Sequence, residues 1–310
     1  MAKANSQKIS VFEVGPRDGL QNVVQILTTA RKIEFVRGLI DAGVRDLELG
    51  AFVRIDKVPQ MADSNLLFQA IQKRKLDLGG ARAWCLIPNR VGLERALKSG
   101  ATHFAVFTAA TETFARKNIG MSIDESLAEF GAVIREARAH LGKKAIIRGY
   151  VSTAFGCPFE GRVAPKKALR VVERLAALGV EQISIGDTIG VATPNQMNDV
   201  MKPALQILGV KKTAGHFHDT RGTALANALR SIELGVRIFD SSAGGLGGCP
   251  FAPGAAGNLA TEDLVFMLNG LGFDTGIQLS KLSALSLKIA AYLKRSVASK
   301  YVQSSSSTLL

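Results

Sequence analysis

The alternation of short apolar runs with longer amphipathic stretches is the feature that most constrains the fold of this 310-residue chain. Eight runs have the length and composition of β-strands, and helical patterns lie between them. Several runs, such as Ala145–Ile147, are mostly apolar, which is typical of parallel strands covered on both faces. The predicted strands are Lys8–Val14, Val44–Gly50, Ala81–Ile87, His103–Thr108, Ala145–Val151, Gln182–Gly186, Thr213–His218 and Val236–Ser241.

Three predicted helices end on a glycine that comes directly before the next strand. Each of these glycines is followed by a valine, so the same phrase occurs at three distant places. Glycine in the left-handed conformation is a common end for a helix, because it has no side chain to clash. The helices cover Ala30–Ala42, Ala164–Leu178 and Thr223–Leu234, and the glycines are Gly43, Gly179 and Gly235.

Eight repeats of strand and helix predict an α/β fold, a closed (β/α)8 TIM barrel that forms a single domain over residues 1–310. An open, doubly wound sheet is the alternative, but it needs a glycine-rich turn after the first strand, which Gly15–Gly19 does not match. A C-terminal helical extension is expected from about residue 259, with helices over Thr261–Leu271 and Leu279–Arg295. The tail near residues 302–310 is expected to be disordered.

The net charge of +13 allows two interpretations of the surface. A basic surface could attract nucleic acid or an anionic substrate such as a coenzyme A ester. Basic residues scattered over solvated helix faces are the simpler interpretation. No basic–aromatic module is visible, so no nucleic-acid partner is expected. No run of about 18 apolar residues occurs, so no membrane partner is expected either.

The cysteines indicate a reducing compartment. There are three of them, widely spaced and without a CxxC pair, which fits free thiols. The first residues lack the apolar core of a signal peptide, so a cytoplasmic location is expected. Cys85 lies inside a predicted strand and is expected in the core, and Cys157 is expected to be structural. Cys249 lies in a loop too rich in glycine to pack by itself, which favours a movable catalytic thiol.

Polar residues gather at one end of the predicted barrel. In TIM barrels, catalytic groups stand at the C-terminal ends of the strands. Arg17 and Asp18 follow the first strand, Glu48 ends the second, Asp187 and Thr188 end the sixth, and His216 and His218 end the seventh.

His216 and His218 are two residues apart, so their imidazoles share one face of a strand. With Asp18 across the mouth, they predict a site for a divalent ion such as Mg, Mn, Co or Zn. The alternative is a pair of hydrogen-bonded core histidines. Asp18 could equally be a turn residue, and Asn258 could supply a metal oxygen or cap the next helix.

Arg17 also has two possible roles. Its fork of donors could neutralise a substrate oxyanion, or it could form a salt bridge with Glu48, and both can hold at once. Glu262 could favour the N-terminus of the helix that follows.

Several segments of the chain resemble the 3-hydroxy-3-methylglutaryl-CoA lyase family of metal-dependent TIM-barrel enzymes. The glycine loop that ends in Cys249 and Pro250 is specific to the lyase branch, whereas the His-x-His-Asp and Arg-Asp elements are shared more widely. The matching segments are Glu13–Asn22, Val58–Asp63, Arg148–Val151, Ala154–Gly161, Gly186–Gly190 and His216–Asp263.

The resemblance implies a retro-Claisen cleavage of an acyl-CoA substrate that yields acetyl-CoA and acetoacetate, in an enzyme that is a homodimer. It implies a divalent metal, Mg or Mn. Arg17 would stabilise the enolate oxygen and Cys249 would handle a proton. The metal ligands would be Asp18, His216, His218 and Asn258, with Asp18 and His216 also among the catalytic candidates, Thr188 a substrate contact, and Glu48 and Glu262 supporting residues.

Departures from the family pattern lie near the expected acyl pocket. The chain has Val23 and Val24 where the family has Glu-Lys, Ala51 where a hydroxyl is usual, and Thr153 where cysteine is common. A related lyase on a different 3-hydroxy-acyl-CoA, or a Claisen-type synthase, is therefore the nearest alternative, although the cysteine loop favours cleavage. A non-catalytic barrel that binds an anionic partner is the alternative from another class.

Overall fold

The computed structural model of the protein describes residues 8–248 and 257–306. Eight parallel strands form a closed barrel, in which β1 pairs with both β2 and β8. The predicted (β/α)8 TIM barrel is thus confirmed. The strands are β1 Ser10–Glu13, β2 Asp46–Ala51, β3 Arg82–Leu86, β4 His103–Ala109, β5 Ile146–Ser152, β6 Gln182–Asp187, β7 Thr213–Phe217 and β8 Ile238–Ser241.

Helices follow every strand and surround the barrel. A short antiparallel hairpin of Gly156–Cys157 with Gly161–Arg162 lies between β5 and its helix. The helices are α1 Thr29–Asp41, α2 Ser64–Gln72, α3 Arg90–Lys98, α4 Glu112–Ile119, α5 Ile123–Leu141, α6 Pro165–Ala177, α7 Pro194–Leu208, α8 Ala224–Leu234, α9 Thr261–Gly270, α10 Leu279–Tyr292 and α11 Lys300–Ser306. No helix among the described residues is both long enough and apolar enough to cross a membrane.

The hydrophobic core lies between the outer face of the barrel and the helices. In α1, Phe35, Val36 and Leu39 share one helical face and are fully buried. This spacing places an apolar stripe against the strands. Burial of each such side chain contributes roughly 1.5–3 kcal/mol, which holds the helix on the barrel.

The predicted glycine helix ends are confirmed. Gly43, Gly179 and Gly235 have φ angles of 104°, 83° and 112°, a region that residues with a side chain rarely adopt. The glycine lets the chain reverse directly into the next strand. At Gly43 the approach is also close, because a Cβ there would lie 2.0 Å from the carbonyl oxygen of Gly276.

The C-terminal extension differs from the expectation at its end. Residues 302–306, expected to be disordered, belong to α11. Asp263 fixes the start of this helix, because its carboxylate accepts hydrogen bonds from the Ser299 hydroxyl at 2.7 Å and the Tyr301 amide at 2.8 Å. A carboxylate at a helix N-terminus satisfies amides that have no partner within the helix. Residues 307–310 of the expected tail lie outside the described residues.

Replacement of Gly43 by alanine is expected to destabilise the protein by about 3 kcal/mol or more, because the new methyl group adds a backbone clash to the conformational strain. Gly235→Ala is the matched control. Its Cβ would meet nothing closer than 3.8 Å, so only the strain of about 1 kcal/mol should appear. Urea denaturation measures both, and equal losses would show that the contact with Gly276 is unimportant.

Candidate metal and catalytic site

The turn after β1 carries Arg17 and Asp18 to the mouth of the barrel. Gly15–Gly19 form a single π-helical turn with Pro16 at its start. The amide of Gly15 donates to the Glu13 carboxylate at 2.8 Å, which fixes the beginning of the turn. Such turns are rare and often occur at functional sites.

Asp18, His216 and His218 converge at this mouth. Each offers one metal-ligating atom, and the three atoms all lie within 4.8 Å of one another. His216 lies in β7 and His218 follows it directly, and their ring centroids are 5.3 Å apart. The residues that the sequence predicted to share one spot therefore do so in the structure.

Asn258 joins this cluster from the chain after β8. Its Nδ2 donates to Asp18 Oδ2 at 2.8 Å and to the carbonyl oxygen of Leu246 at 3.1 Å. Its backbone forms a bridge with His218. Both acceptors assign Nδ2, so Oδ1 is the amide atom that meets His218, with which Asn258 forms a further side-chain hydrogen bond.

Arg17 is held between two carboxylates. Its Nε donates to Glu48 Oε2 at 2.5 Å, and its Nη1 donates to Asp18 Oδ1 at 2.6 Å. Tyr150 also donates to Glu48 Oε2, at 3.2 Å. The predicted salt bridge between Arg17 and Glu48 is present, and it aims the guanidinium at the mouth.

The charges of this cluster set the protonation of its members. Burial alone would raise the pKa of Asp18, but Arg17 and the two histidines outweigh it and lower the pKa to about 2. Burial, assisted by the neighbouring His216, lowers the pKa of His218 to about 4. An ionised carboxylate and a neutral imidazole are the forms that bind a metal ion.

The residues fit a divalent ion. His218 Nδ1 is buried and has no hydrogen-bond partner among the described residues. A buried polar atom without a partner is uncommon and requires an explanation. Imidazole nitrogens with carboxylate and amide oxygens form a donor set that suits several divalent ions.

Residues 8–289 match the model of the HMGL-like protein family. The chain belongs to this family. It is 46% identical over 297 residues to the mitochondrial hydroxymethylglutaryl-CoA lyase of Rattus norvegicus, an alignment that covers 96% of this chain and 89% of that protein. The family and this relative indicate a carbon–carbon lyase.

Solved structures agree with this membership. The crystal structure of hydroxymethylglutaryl-CoA lyase from Pseudomonas aeruginosa has a TM-score of 0.92 and 41% identity, covering 99% of this chain and 100% of that one. An HMG-CoA lyase from Acinetobacter baumannii in complex with coenzyme A and 3-methylmalate has a TM-score of 0.90 and 36% identity, covering 99% and 98%.

A network inside the barrel supports His216, and the sequence did not identify it. Asp240 Oδ2 accepts a hydrogen bond from His216 Nδ1 at 3.0 Å and another from the Ser184 hydroxyl at 2.7 Å. Its other oxygen pairs with Arg148, and both side chains of this pair are fully buried. The sequence signal that could have revealed this network is the presence of opposite charges, Arg148 and Asp240, in two otherwise apolar strands. The bond at Nδ1 leaves Nε2 of His216 as the nitrogen that could bind a metal ion.

Two buried carboxylates fix the loops around the site. Glu13 accepts from the amide of Ala243 at 2.9 Å and from the Thr261 hydroxyl at 2.6 Å. Glu262 accepts from the amide of Gly244 at 2.9 Å and from the hydroxyl of Ser286. Both acids therefore hold the start of the glycine loop, a role that the sequence suggested only loosely for Glu262.

Two predicted residues are less closely tied to the cluster. Thr188 follows β6 at the same rim, and its hydroxyl accepts from the amide of Thr153 at 2.8 Å. Its contact with substrate stays a prediction. Cys249 lies outside the described residues. Cys85 and Cys157 are buried free thiols.

Replacement of Asp240 by asparagine is expected to weaken metal binding by about 10–100-fold, because His216 loses the carboxylate that orients it. Asp46→Asn is the control, since it removes an ion-paired carboxylate at the first residue of β2, the end of the strand opposite to the mouth. Calorimetric titration with Mn²⁺ measures both variants. Unchanged affinity in Asp240→Asn would exclude this supporting role.

Glu262 predicts a pH dependence of stability. Burial raises its pKa from 4.5 to about 7. The folded state therefore holds this proton more tightly, and its stabilisation is lost as the pH rises through about 7. In Glu262→Gln, which cannot ionise, the loss of unfolding free energy between pH 5.5 and pH 8 should be smaller by roughly 1–2 kcal/mol. Urea denaturation at both pH values measures this, with exposed Glu173→Gln as control; a wild-type slope in Glu262→Gln would contradict it.

Proposed function

We propose that the protein cleaves 3-hydroxy-3-methylglutaryl-CoA to acetyl-CoA and acetoacetate by metal-assisted retro-Claisen chemistry. One observation carries this proposal: Asp18, His216 and His218 converge within 4.8 Å at the mouth of the barrel, directly beside a fixed Arg17. The membership in the HMGL-like family supports the choice of reaction.

Asp18, His216, His218 and Asn258 would hold a divalent ion, and the resemblance favours Mg or Mn. When bound, the ion supplies Lewis acidity that lowers the pKa of the tertiary hydroxyl of the substrate. The hydroxyl proton must be accepted at this cluster. The carboxylate of Asp18 can accept it, whereas His216 would give Nε2 to the ion while its Nδ1 stays bonded to Asp240.

Arg17 serves the other half of the reaction. Cleavage of the carbon–carbon bond builds negative charge on the thioester oxygen of the departing acetyl-CoA. The bonds of Arg17 to Glu48 and Asp18 use only part of its five N–H donors. The remaining donors can stabilise that charge, and the two carboxylates keep them in place before the substrate arrives.

Cys249 would return a proton to the new carbanion. The loop that carries it begins at the site, because Asn258 contacts the carbonyl oxygen of Leu246, and Asn22 donates to that of Gly248 at 3.0 Å. Gly248, the residue that precedes Cys249 in the sequence, is thus held at the mouth. Thr188 would contact the substrate from the neighbouring strand.

A related 3-hydroxy-acyl-CoA is the second candidate substrate. Ala51 ends β2 and is buried, so the family's hydroxyl is missing at the rim. The bound coenzyme A and 3-methylmalate in the Acinetobacter baumannii relative support an acyl-CoA substrate. We also propose a cytoplasmic location and a homodimeric assembly. Sedimentation analysis of the purified protein would test the assembly.

Steady-state kinetics with 3-hydroxy-3-methylglutaryl-CoA and Mg²⁺ or Mn²⁺ tests the function. Acetyl-CoA and acetoacetate should form in equal amounts, and a chelator should abolish turnover. Acyl-CoA esters with other 3-substituents, run in parallel, identify the preferred acyl group. Turnover that is indifferent to chelator, or no cleavage of any ester, would refute the proposal.

Cys249→Ala should lower kcat by about 10²–10⁴-fold, the usual contribution of a positioned acid, and leave Mn²⁺ affinity unchanged. His218→Ala should abolish both metal retention and turnover. His140→Ala, at an exposed histidine of α5, is the control for both. Equal loss of activity and metal affinity in Cys249→Ala would indicate a structural role for the thiol.

A further inference from the structure

The amino-terminal end of the barrel contains a cavity of about 340 Å³. This end is opposite to the catalytic mouth, since the cavity is lined by first residues of strands, among them Ser10, Ile146 and Ile238. The volume lies within the range of small-molecule sites. Phe12 and Trp84 provide an apolar wall, with ring centroids 5.4 Å apart.

The acidic residues of the cavity already have partners. Asp46 pairs with Arg82 at 2.5 Å and accepts from Trp84 Nε1 at 3.0 Å. Glu181 pairs with Arg138 at 2.9 Å and accepts from the amide of Ile147 at 2.7 Å. Their negative charges are therefore compensated before any ligand binds.

The basic residues leave a positive surplus. Lys8 and Lys211 both line the cavity, and neither forms an ion pair with any described residue. Two lysines without an ion-pair partner among the described residues favour a ligand with two negative charges at this cavity.

Gln182 adds a requirement for a hydrogen-bond donor. It lines the cavity, and its Oε1 is buried without a hydrogen-bond partner in the described part of the chain. A buried carbonyl oxygen of this kind is satisfied by a hydroxyl or N–H group. A ligand that carries a hydroxyl beside its charge would supply that donor.

We infer that this cavity is a binding site for a small hydroxylated dianion, of the sugar-phosphate or hydroxy-dicarboxylate type. It is separate from the catalytic mouth. The guanidinium of Arg148 stacks on the Phe12 ring at 3.8 Å and pairs with Asp240 on its other side. This layer fills the barrel between the two ends.

Trp84 makes the proposal directly measurable, because it is the only tryptophan of the chain and lines this cavity. Glycerol 3-phosphate and malate are the two probes, and they distinguish a phosphate from a carboxylate ligand. At least one should change the tryptophan fluorescence saturably, with weaker binding at higher salt. Isothermal titration in parallel detects binding that leaves the fluorescence unchanged. No saturable binding of either probe by either method would overturn the site.

The double variant Lys8→Gln/Lys211→Gln should weaken the binding by about tenfold, since both lysine charges that attract the dianion are removed and each exposed charge contributes only modestly. Lys143→Gln/Lys144→Gln is the matched control. It removes the same charge from the residues before β5, at the same end of the barrel, but neither residue lines the cavity. Affinity unchanged in the first pair, or equally weakened in both, would overturn the proposal; the second result would indicate general attraction to a basic surface.

Discussion

The buried ion pair between Arg148 and Asp240 is the interaction on which the site depends. Both side chains lie inside the barrel with no exposed surface. Burial would raise the pKa of Asp240, but Arg148 and His216 lower it, so the carboxylate stays charged. A buried charge is tolerated only when it is paired and hydrogen-bonded. The pair satisfies this condition and gives His216 a fixed acceptor at Nδ1.

The arrangement at the mouth extends the same principle. Arg17 lies between Glu48 and Asp18, and Asp18 faces two imidazoles and an amide. The carboxylates of Asp18 and Glu48 flank the guanidinium of Arg17 at the mouth, and the carboxylate of Asp240 pairs with the guanidinium of Arg148 inside the barrel. A divalent cation at the cluster would bind the donor atoms of Asp18, His216 and His218, which explains why these side chains gather although the buried Nδ1 of His218 has no hydrogen-bond partner among the described residues.

The fold and the ligand cluster could be predicted from the sequence because both follow from local periodicity. Glycine helix ends and apolar runs fix the barrel, and a barrel brings strand ends together at one rim. His216 and His218 were recognisable because alternate residues share a face. Asp240 and Glu13 were not recognised, since a single acid in a strand does not reveal which distant cation or amide it meets. Tertiary contacts between β1, β5 and β8 decide those roles.

The ends of elements were also less predictable than their existence. α11 forms because Asp263, many residues away, satisfies its first amides. The serine-rich composition of the tail carries no trace of that contact. The most direct measurement of the central claim is the anomalous diffraction of a crystal soaked in Mn²⁺. The predicted result is one strong anomalous peak within coordination distance of Asp18, His216, His218 and Asn258. A peak elsewhere, or none at saturating Mn²⁺, would contradict the account.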